Sequence, residues 1–134
     1  MLVIVLALPG RAAAWTWPAG GAVLRTFSFD RAHPYAGGQR RGIDIGGSTG
    51  DAVLAPSGGV VSFAGTTPGN GLTLSIRTGD GYTVSLTHLG SLALRAGASV
   101  GESAPVGTVG PSATPEFDVP YVHLGIRITG DENG

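Results

Sequence analysis

The chain contains no cysteine, which excludes disulfide bonds, thiolate zinc sites and cysteine nucleophiles. It also contains no lysine: all 8 basic residues are arginine, and the net charge is -1. A balance this close to neutral gives no electrostatic attraction to nucleic acid or to an anionic membrane surface. Because the chain has no cysteine, any metal that it binds would have to use histidine and carboxylate ligands.

Long helical stretches are also missing, since no segment longer than about ten residues has helical periodicity. Glycine (24 residues) and proline (9 residues) are abundant instead, which is typical of many turns between short strands. Leu72, Leu74 and Ile76 alternate with polar residues, as in a half-buried strand. We therefore predict one all-β domain, an antiparallel β-sandwich or barrel-like sheet whose loops line a groove. Strands are predicted at 22–29, 40–45, 52–55, 59–64, 72–76, 82–86, 104–109 and 121–128, with a hairpin turn at 68–71.

The N-terminal residues are typical of a secretory signal peptide. Residues 2–8 are apolar, Pro9 and Gly10 interrupt the run, and the three alanines at 12–14 resemble a cleavage site. The run is too short to span a bilayer, and a hydrophobic first strand is the alternative. We predict a signal peptide remnant at 1–14 and a secreted mature domain at 15–134 that has no membrane span.

The chain has three histidines, and two of them fall in or beside predicted strands. Residues two apart on a strand share a face, so neighbouring strands at 40–45 and 121–128 would aim Asp44 and His123 at one point. Gly125 shares the face of His123. His88 is predicted at the end of a third strand, where loops begin and clefts form. Imidazole and carboxylate ligands together suit zinc.

Several short motifs along the chain follow one another in a specific order. Residues 40–45 resemble an H-x-G-x-D motif, 56–65 an A-x-x-G-x-V-x-x-A-G stretch, 87–89 a Y-x-H-L motif, and 121–125 occupy the place of H-x-H. Over about residues 15–130 the chain thus resembles the M23 family of LytM/lysostaphin-type cell-wall metallopeptidases. The family's C-terminal aspartate-proline segment is absent, so the domain is expected to be truncated there. The resemblance implies a LytM (duplicated hybrid motif-like) fold, peptidoglycan as binding partner, zinc as the family's cofactor, and a place in the bacterial cell envelope.

The chain departs from this family pattern at two site positions. The resemblance implies that Asp44 and His123 are zinc ligands and that His88 is a residual catalytic histidine. Arg40 replaces the family's first zinc histidine, and Tyr121 replaces its other catalytic histidine. A catalytic zinc needs three protein ligands, and the permanently charged guanidinium of Arg40 repels a divalent cation. We expect zinc binding to be weak or lost, with an Arg40–Asp44 ion pair taking over the metal's charge-neutralising role.

These departures favour a non-catalytic M23-like domain that binds cell-wall peptide or regulates a cell-wall hydrolase or another envelope protein. The alternative is an active zinc endopeptidase that cleaves peptidoglycan cross-links with an atypical ligand set, completed by His33 from a loop. Taken without the motifs, Asp44 could cap a turn, His123 could be a core histidine, and Tyr121 could be a packing aromatic or a hydrogen-bond donor to peptide. A lipoyl- or biotin-carrier domain is excluded because the chain has no lysine to modify.

Overall fold

The computed structural model describes residues 15–25, 32, 42–111 and 119–130. The segment 1–14 and the predicted site residues His33 and Arg40 lie outside these ranges. Within them all regular structure is strand, and no helix there is long and apolar enough to cross a membrane. The strands are β1 (Val23–Arg25), β2 (Gly42–Gly46), β3 (Ala52–Leu54), β4 (Gly59–Thr67), β5 (Gly71–Thr78), β6 (Tyr82–Leu92), β7 (Ser99–Val100), β8 (Pro105–Val109) and β9 (Tyr121–Ile128).

The described strands pair only in antiparallel fashion, in the order β1-β2-β9-β6-β5-β4-β7. The long strand β6 serves two layers, because its first part pairs with β9 and β5 while its last residues pair with β8. β8 in turn pairs with β3. β1, β3 and β7 remain as edges, so the sheet in the described part of the chain is not closed. The predicted all-β antiparallel fold is confirmed.

The hairpin between β4 and β5 shows why the glycines stand where they do. Gly69 and Gly71 have φ values of 78° and 74°, which glycine adopts without a steric penalty. The amide of Asn70 donates to the Thr67 carbonyl oxygen at 3.2 Å. This turn, predicted at 68–71, brings the end of β4 back beside the start of β5, next to the residues of the candidate site.

One face of the long sheet is apolar and packs against β3 and β8. Alternate residues of a strand reach the same face, so the apolar positions of β2, β4, β5, β6 and β9 join those of β3 and β8 in one core. The opposite face of the sheet carries mostly polar and small residues, together with the exposed apolar side chains of Val60 and Phe63. The buried core residues are Ile45, Val53, Ala55, Val61, Leu74, Ile76, Val84, Leu86, Leu89, Val106, Val109, Val122 and Leu124.

The polar face of β5 is more buried than the alternation of its apolar residues predicts. Thr73 and Ser75 are 5% and 9% exposed, so the prediction of a half-buried strand is wrong here. The Thr73 hydroxyl donates to the Gly71 carbonyl oxygen at 3.1 Å, and Ser75 Oγ lies 2.8 Å from Ser85 Oγ. Small hydroxyl side chains can be buried on a polar face because such hydrogen bonds satisfy them.

Candidate functional site

β2 and β9 bring two predicted site residues into contact. Asp44 and His123 are direct cross-strand partners, and Asp44 Oδ1 lies 2.7 Å from His123 Nδ1. The side chain of Asp44 is 5% exposed and that of His123 is 31% exposed. Since an ionised carboxylate only accepts hydrogen bonds, the Nδ1–H group of His123 donates to Asp44. The structure thus brings these two predicted site residues into contact.

Gly42 provides the room for this pair. It is the cross-strand partner of Gly125, the predicted groove residue. A Cβ atom on Gly42 would lie 2.8 Å from His123 Nε2 and 2.2 Å from the Leu124 carbonyl oxygen. The imidazole therefore lies over Gly42, and its Nε2 faces β2. It is turned away from Thr87, the partner of His123 on β6, so these residues do not form a hydroxyl–imidazole–carboxylate relay.

The contact between Asp44 and His123 is a direct hydrogen bond. Two ligands of one tetrahedral zinc, each about 2.0–2.2 Å from the metal, lie about 3.3–3.6 Å apart, whereas these two atoms are 2.7 Å apart. No cluster of three or more His, Cys, Asp or Glu residues that could hold a metal occurs in the described ranges. As placed, this donor pair does not fit a catalytic zinc. The predicted Arg40–Asp44 pair and the substitute ligand His33 lie outside the described residues and stay predictions.

His88 does not end its strand, as the sequence predicts, but lies inside the eleven-residue strand β6. Leu72 pairs with Leu89 and Leu74 pairs with Leu86, so Thr87 and His88 together face the single residue Thr73. This two-against-one arrangement is a β-bulge. The extra residue re-aims the side chain of His88 without ending the pairing of β6, which explains why the prediction of a strand end is wrong.

The bulge holds His88 in an unusual backbone conformation. Its φ of 67° lies in the left-handed region, which costs a residue with a Cβ atom roughly 1–2 kcal/mol. The amide of His88 donates to the Asn70 carbonyl oxygen at 2.9 Å, so the β4–β5 hairpin secures the bulge. Strain of this kind is concentrated at functional sites, and the sequence analysis missed it because His88 is not a glycine.

The side chain of His88 stacks on the ring of Tyr121. Their ring centroids are 4.4 Å apart and the planes differ by 15°. His88 and Tyr121 are only 4% and 5% exposed, and Nε2 of His88 has no accessible surface. Tyr121 thus covers the imidazole that the motif would make catalytic. The imidazole of His88 is therefore buried in packing against Tyr121, whereas a general base must be able to reach the proton that it removes.

Two further rows of residues share the face of Asp44 and His123. Direct partners across a sheet lie on one face, and the register of β9, β6 and β5 shows no shift along these rows. Sequence analysis missed both rows, although small and polar residues at alternating positions of all three strands carried the signal. The first row is Gly125, Ser85, Ser75 and Phe63, and the second is Arg127, Thr83, Arg77 and Val60.

Solved structures with a similar fold include peptidases. A zinc-containing peptidase from Vibrio cholerae superposes with a TM-score of 0.74 over 86% of this chain and 37% of that protein, at 21% sequence identity. The catalytic domain of lysostaphin from Staphylococcus simulans superposes with a TM-score of 0.68 over 84% of this chain and 82% of that domain, also at 21% identity. At such identities the likeness shows the fold alone.

Curated relatives match at higher identity. The murein hydrolase activator NlpD of Escherichia coli K12 is 31% identical over 117 residues, which cover 87% of this chain and 28% of that protein. A lipoprotein NlpD/LppB homolog of Pseudomonas aeruginosa is 32% identical over 117 residues, which cover 87% of this chain and 36% of that protein. The chain thus spans about a third of the length of these relatives. The profile of peptidase family M23 matches residues 38–133, and the chain belongs to this family.

Proposed function

We propose that the chain carries a non-catalytic M23 domain that regulates a cell-wall hydrolase and that the polar face of its sheet holds cell-wall peptide without cutting it. The observation that carries this proposal is the direct hydrogen bond of 2.7 Å between Asp44 and His123. In a zinc peptidase the metal polarises the scissile carbonyl and activates the attacking water. Acid–base help from an imidazole alone contributes only about 10²–10⁴-fold.

The two family positions that have changed support the same proposal. Arg40 puts a permanent positive charge at the sequence position where the family has a zinc ligand. Tyr121 brings an aromatic ring that stacks on His88. In this proposal Asp44 and His123 are former ligands that now tie β2 to β9, and the chain does not depend on zinc.

The relatives support a regulatory role in the cell envelope. The E. coli relative is a murein hydrolase activator, and the P. aeruginosa relative is a lipoprotein. Because this chain covers about a third of each of them, only the part played by the M23 domain is carried over. We propose that the chain works in the bacterial cell envelope, where a cell-wall hydrolase is its partner.

The test measures the release of soluble fragments from dye-labelled murein. The chain is added alone, and then together with each purified murein hydrolase of its source bacterium, with zinc or with a chelator. We expect no release by the chain alone, and faster release by one hydrolase when the chain is present, with or without zinc. If no hydrolase is accelerated, a regulatory role is refuted.

An active zinc endopeptidase with an atypical ligand set is the second candidate. It is favoured by the retention of Asp44, His88 and His123, two of which are in contact. Release of fragments by the chain alone, dependent on zinc and lost in Asp44→Asn, would establish this activity. Binding of about one zinc per chain would then indicate that a residue such as His33 completes the site.

A further inference from the structure

Arg77 and Arg127 lie on the polar face of the sheet and flank one residue. Arg127 is the partner of Thr83 across β9 and β6, and Thr83 is the partner of Arg77 across β6 and β5. The two arginine Cα atoms are therefore separated by two strand spacings, about 9.5 Å. Their long side chains rise from the same face and can converge above Thr83, which is 8% exposed.

Both arginines are available to a ligand. Each is exposed, and within the described part of the chain neither guanidinium takes part in an ion pair or a side-chain hydrogen bond. A guanidinium is always charged and offers donors in a fork that matches the two oxygens of a carboxylate. Two such forks on one face, without an ion-pair partner among the residues that the structure describes, form a place suited to a carboxylate.

The floor between this pair and the Asp44–His123 contact is low. On this face of β9, Gly125 is the residue between His123 and Arg127. Its partner on β6 is Ser85, which lies two residues from Thr83 on the same face. Four residues of a strand span about 13 Å, a distance that about four residues of an extended peptide cover. A small, hydroxyl-lined floor of this length suits a single extended peptide.

We propose that Arg77 and Arg127 form a subsite for a carboxylate of a cell-wall peptide that lies extended along β9 on the polar face of the sheet, about 13 Å from the Asp44–His123 pair. The proposal rests on the proposed peptide-binding function and adds where and by what chemistry the peptide is held. The arginine pair fixes the direction of the peptide, because its carboxylate end lies over Thr83 and its other end lies at Asp44 and His123.

The test is co-sedimentation of the full chain with purified murein sacculi, either native or with their carboxylates converted to neutral amides by carbodiimide and ammonia. The double variant Arg77→Gln/Arg127→Gln is compared with Arg95→Gln, a matched control at an exposed arginine between β6 and β7. All three substitutions are at exposed positions, and circular dichroism checks that each variant is folded.

We expect the double variant to bind native sacculi about 2- to 30-fold more weakly than the wild type, the loss of two exposed charge contacts. Arg95→Gln should bind like the wild type. On amidated sacculi the wild type and the double variant should bind equally weakly, because the arginines then have no carboxylate to hold.

Equal binding of the wild type and the double variant to native sacculi would overturn the subsite while leaving peptide binding intact. If the wild type binds no sacculi but accelerates a hydrolase in an Arg77- and Arg127-dependent way, the carboxylate belongs to the hydrolase and the cell-wall ligand is refuted. Failure of both sacculus binding and hydrolase activation would refute the proposed function itself.

Discussion

Replacing Gly42 by alanine tests the geometry of the site most directly, because β2 contains its own control. A Cβ atom at Gly42 would lie 2.2 Å from the Leu124 carbonyl oxygen and 2.8 Å from His123 Nε2. At Gly46, four residues along the same strand, the nearest atom would be the Ala22 carbonyl oxygen at 3.6 Å, an ordinary van der Waals distance. Both glycines are buried, so the two substitutions differ in the contact rather than in the burial.

The size of the destabilisation depends on which atoms must move to make room for the new Cβ atom. Overpacking a folded interior costs typically about 1–3 kcal/mol, and at Gly42 one obstacle is the backbone of the paired strand β9, which cannot rotate aside. We expect Gly42→Ala to lower the free energy of unfolding by about 3 kcal/mol. Gly46→Ala should leave it within about 1 kcal/mol of the wild type, since alanine also restricts the unfolded chain.

Urea denaturation followed by circular dichroism measures both variants, and thermal unfolding should show a midpoint lower by roughly 10 °C or more for Gly42→Ala. The double variant Gly42→Ala/His123→Ala should recover little stability, because the Leu124 carbonyl oxygen remains in place. If Gly42→Ala were as stable as Gly46→Ala, β2 and β9 could not approach as described, and the placement of His123 over Gly42 would be wrong.

Three further predictions concern the residues around this contact. Arg40→His should raise the zinc retained after desalting, measured by elemental analysis, to about one per chain, because it removes the charged guanidinium and supplies a third ligand, and Asp44 and His123 then need to separate by less than about 1 Å to bind the metal; no gain would show that these two side chains are held at hydrogen-bonding distance. Asp44→Ala should lower the free energy of unfolding in urea by about 1–3 kcal/mol because it leaves His123 Nδ1 without its acceptor, whereas Asp44→Asn, which keeps one, should cost less. His88→Gly should have a free energy of unfolding within about 1 kcal/mol of the wild type, since relief of the strained left-handed backbone offsets the lost ring stacking. His88→Val gains no such relief and should be less stable than His88→Gly; equal stability of the two variants would count against a strained bulge.

The positions of the strands followed from local patterns, and the errors are instructive. The turn at 68–71 was predictable because Gly69 and Gly71 occupy positive φ values that other residues avoid. The bulge in β6 was not, because nothing in the sequence around His88 marks a residue of that conformation. It arises where β6 must pair with β5 on one side while His88 meets the Asn70 carbonyl oxygen from the hairpin.

In the candidate site, too, some features were predictable from the sequence and others depend on strand pairing. The approach of Asp44 and His123 was predictable because period-two alternation puts each on one face of its strand. The burial of Thr73 and Ser75 was not predictable from β5 alone, since it depends on hydroxyl partners such as Ser85 on the next strand. Arg77 and Arg127 are 50 positions apart in the sequence. They come close together only because both are cross-strand partners of Thr83 in the folded sheet.

The sequence by itself determined the all-strand architecture and the glycine turns, and it predicted the loss of two family histidines at Arg40 and Tyr121. These are properties of residue type and short-range spacing, and they persist whatever the chain does elsewhere. The tertiary structure alone decided that the imidazole of His123 lies over Gly42 in a direct hydrogen bond with Asp44, that Tyr121 covers His88, and that the two arginines flank Thr83. Each of these depends on strand register and on bulges, which are set by the pairing and packing of segments far apart in the chain.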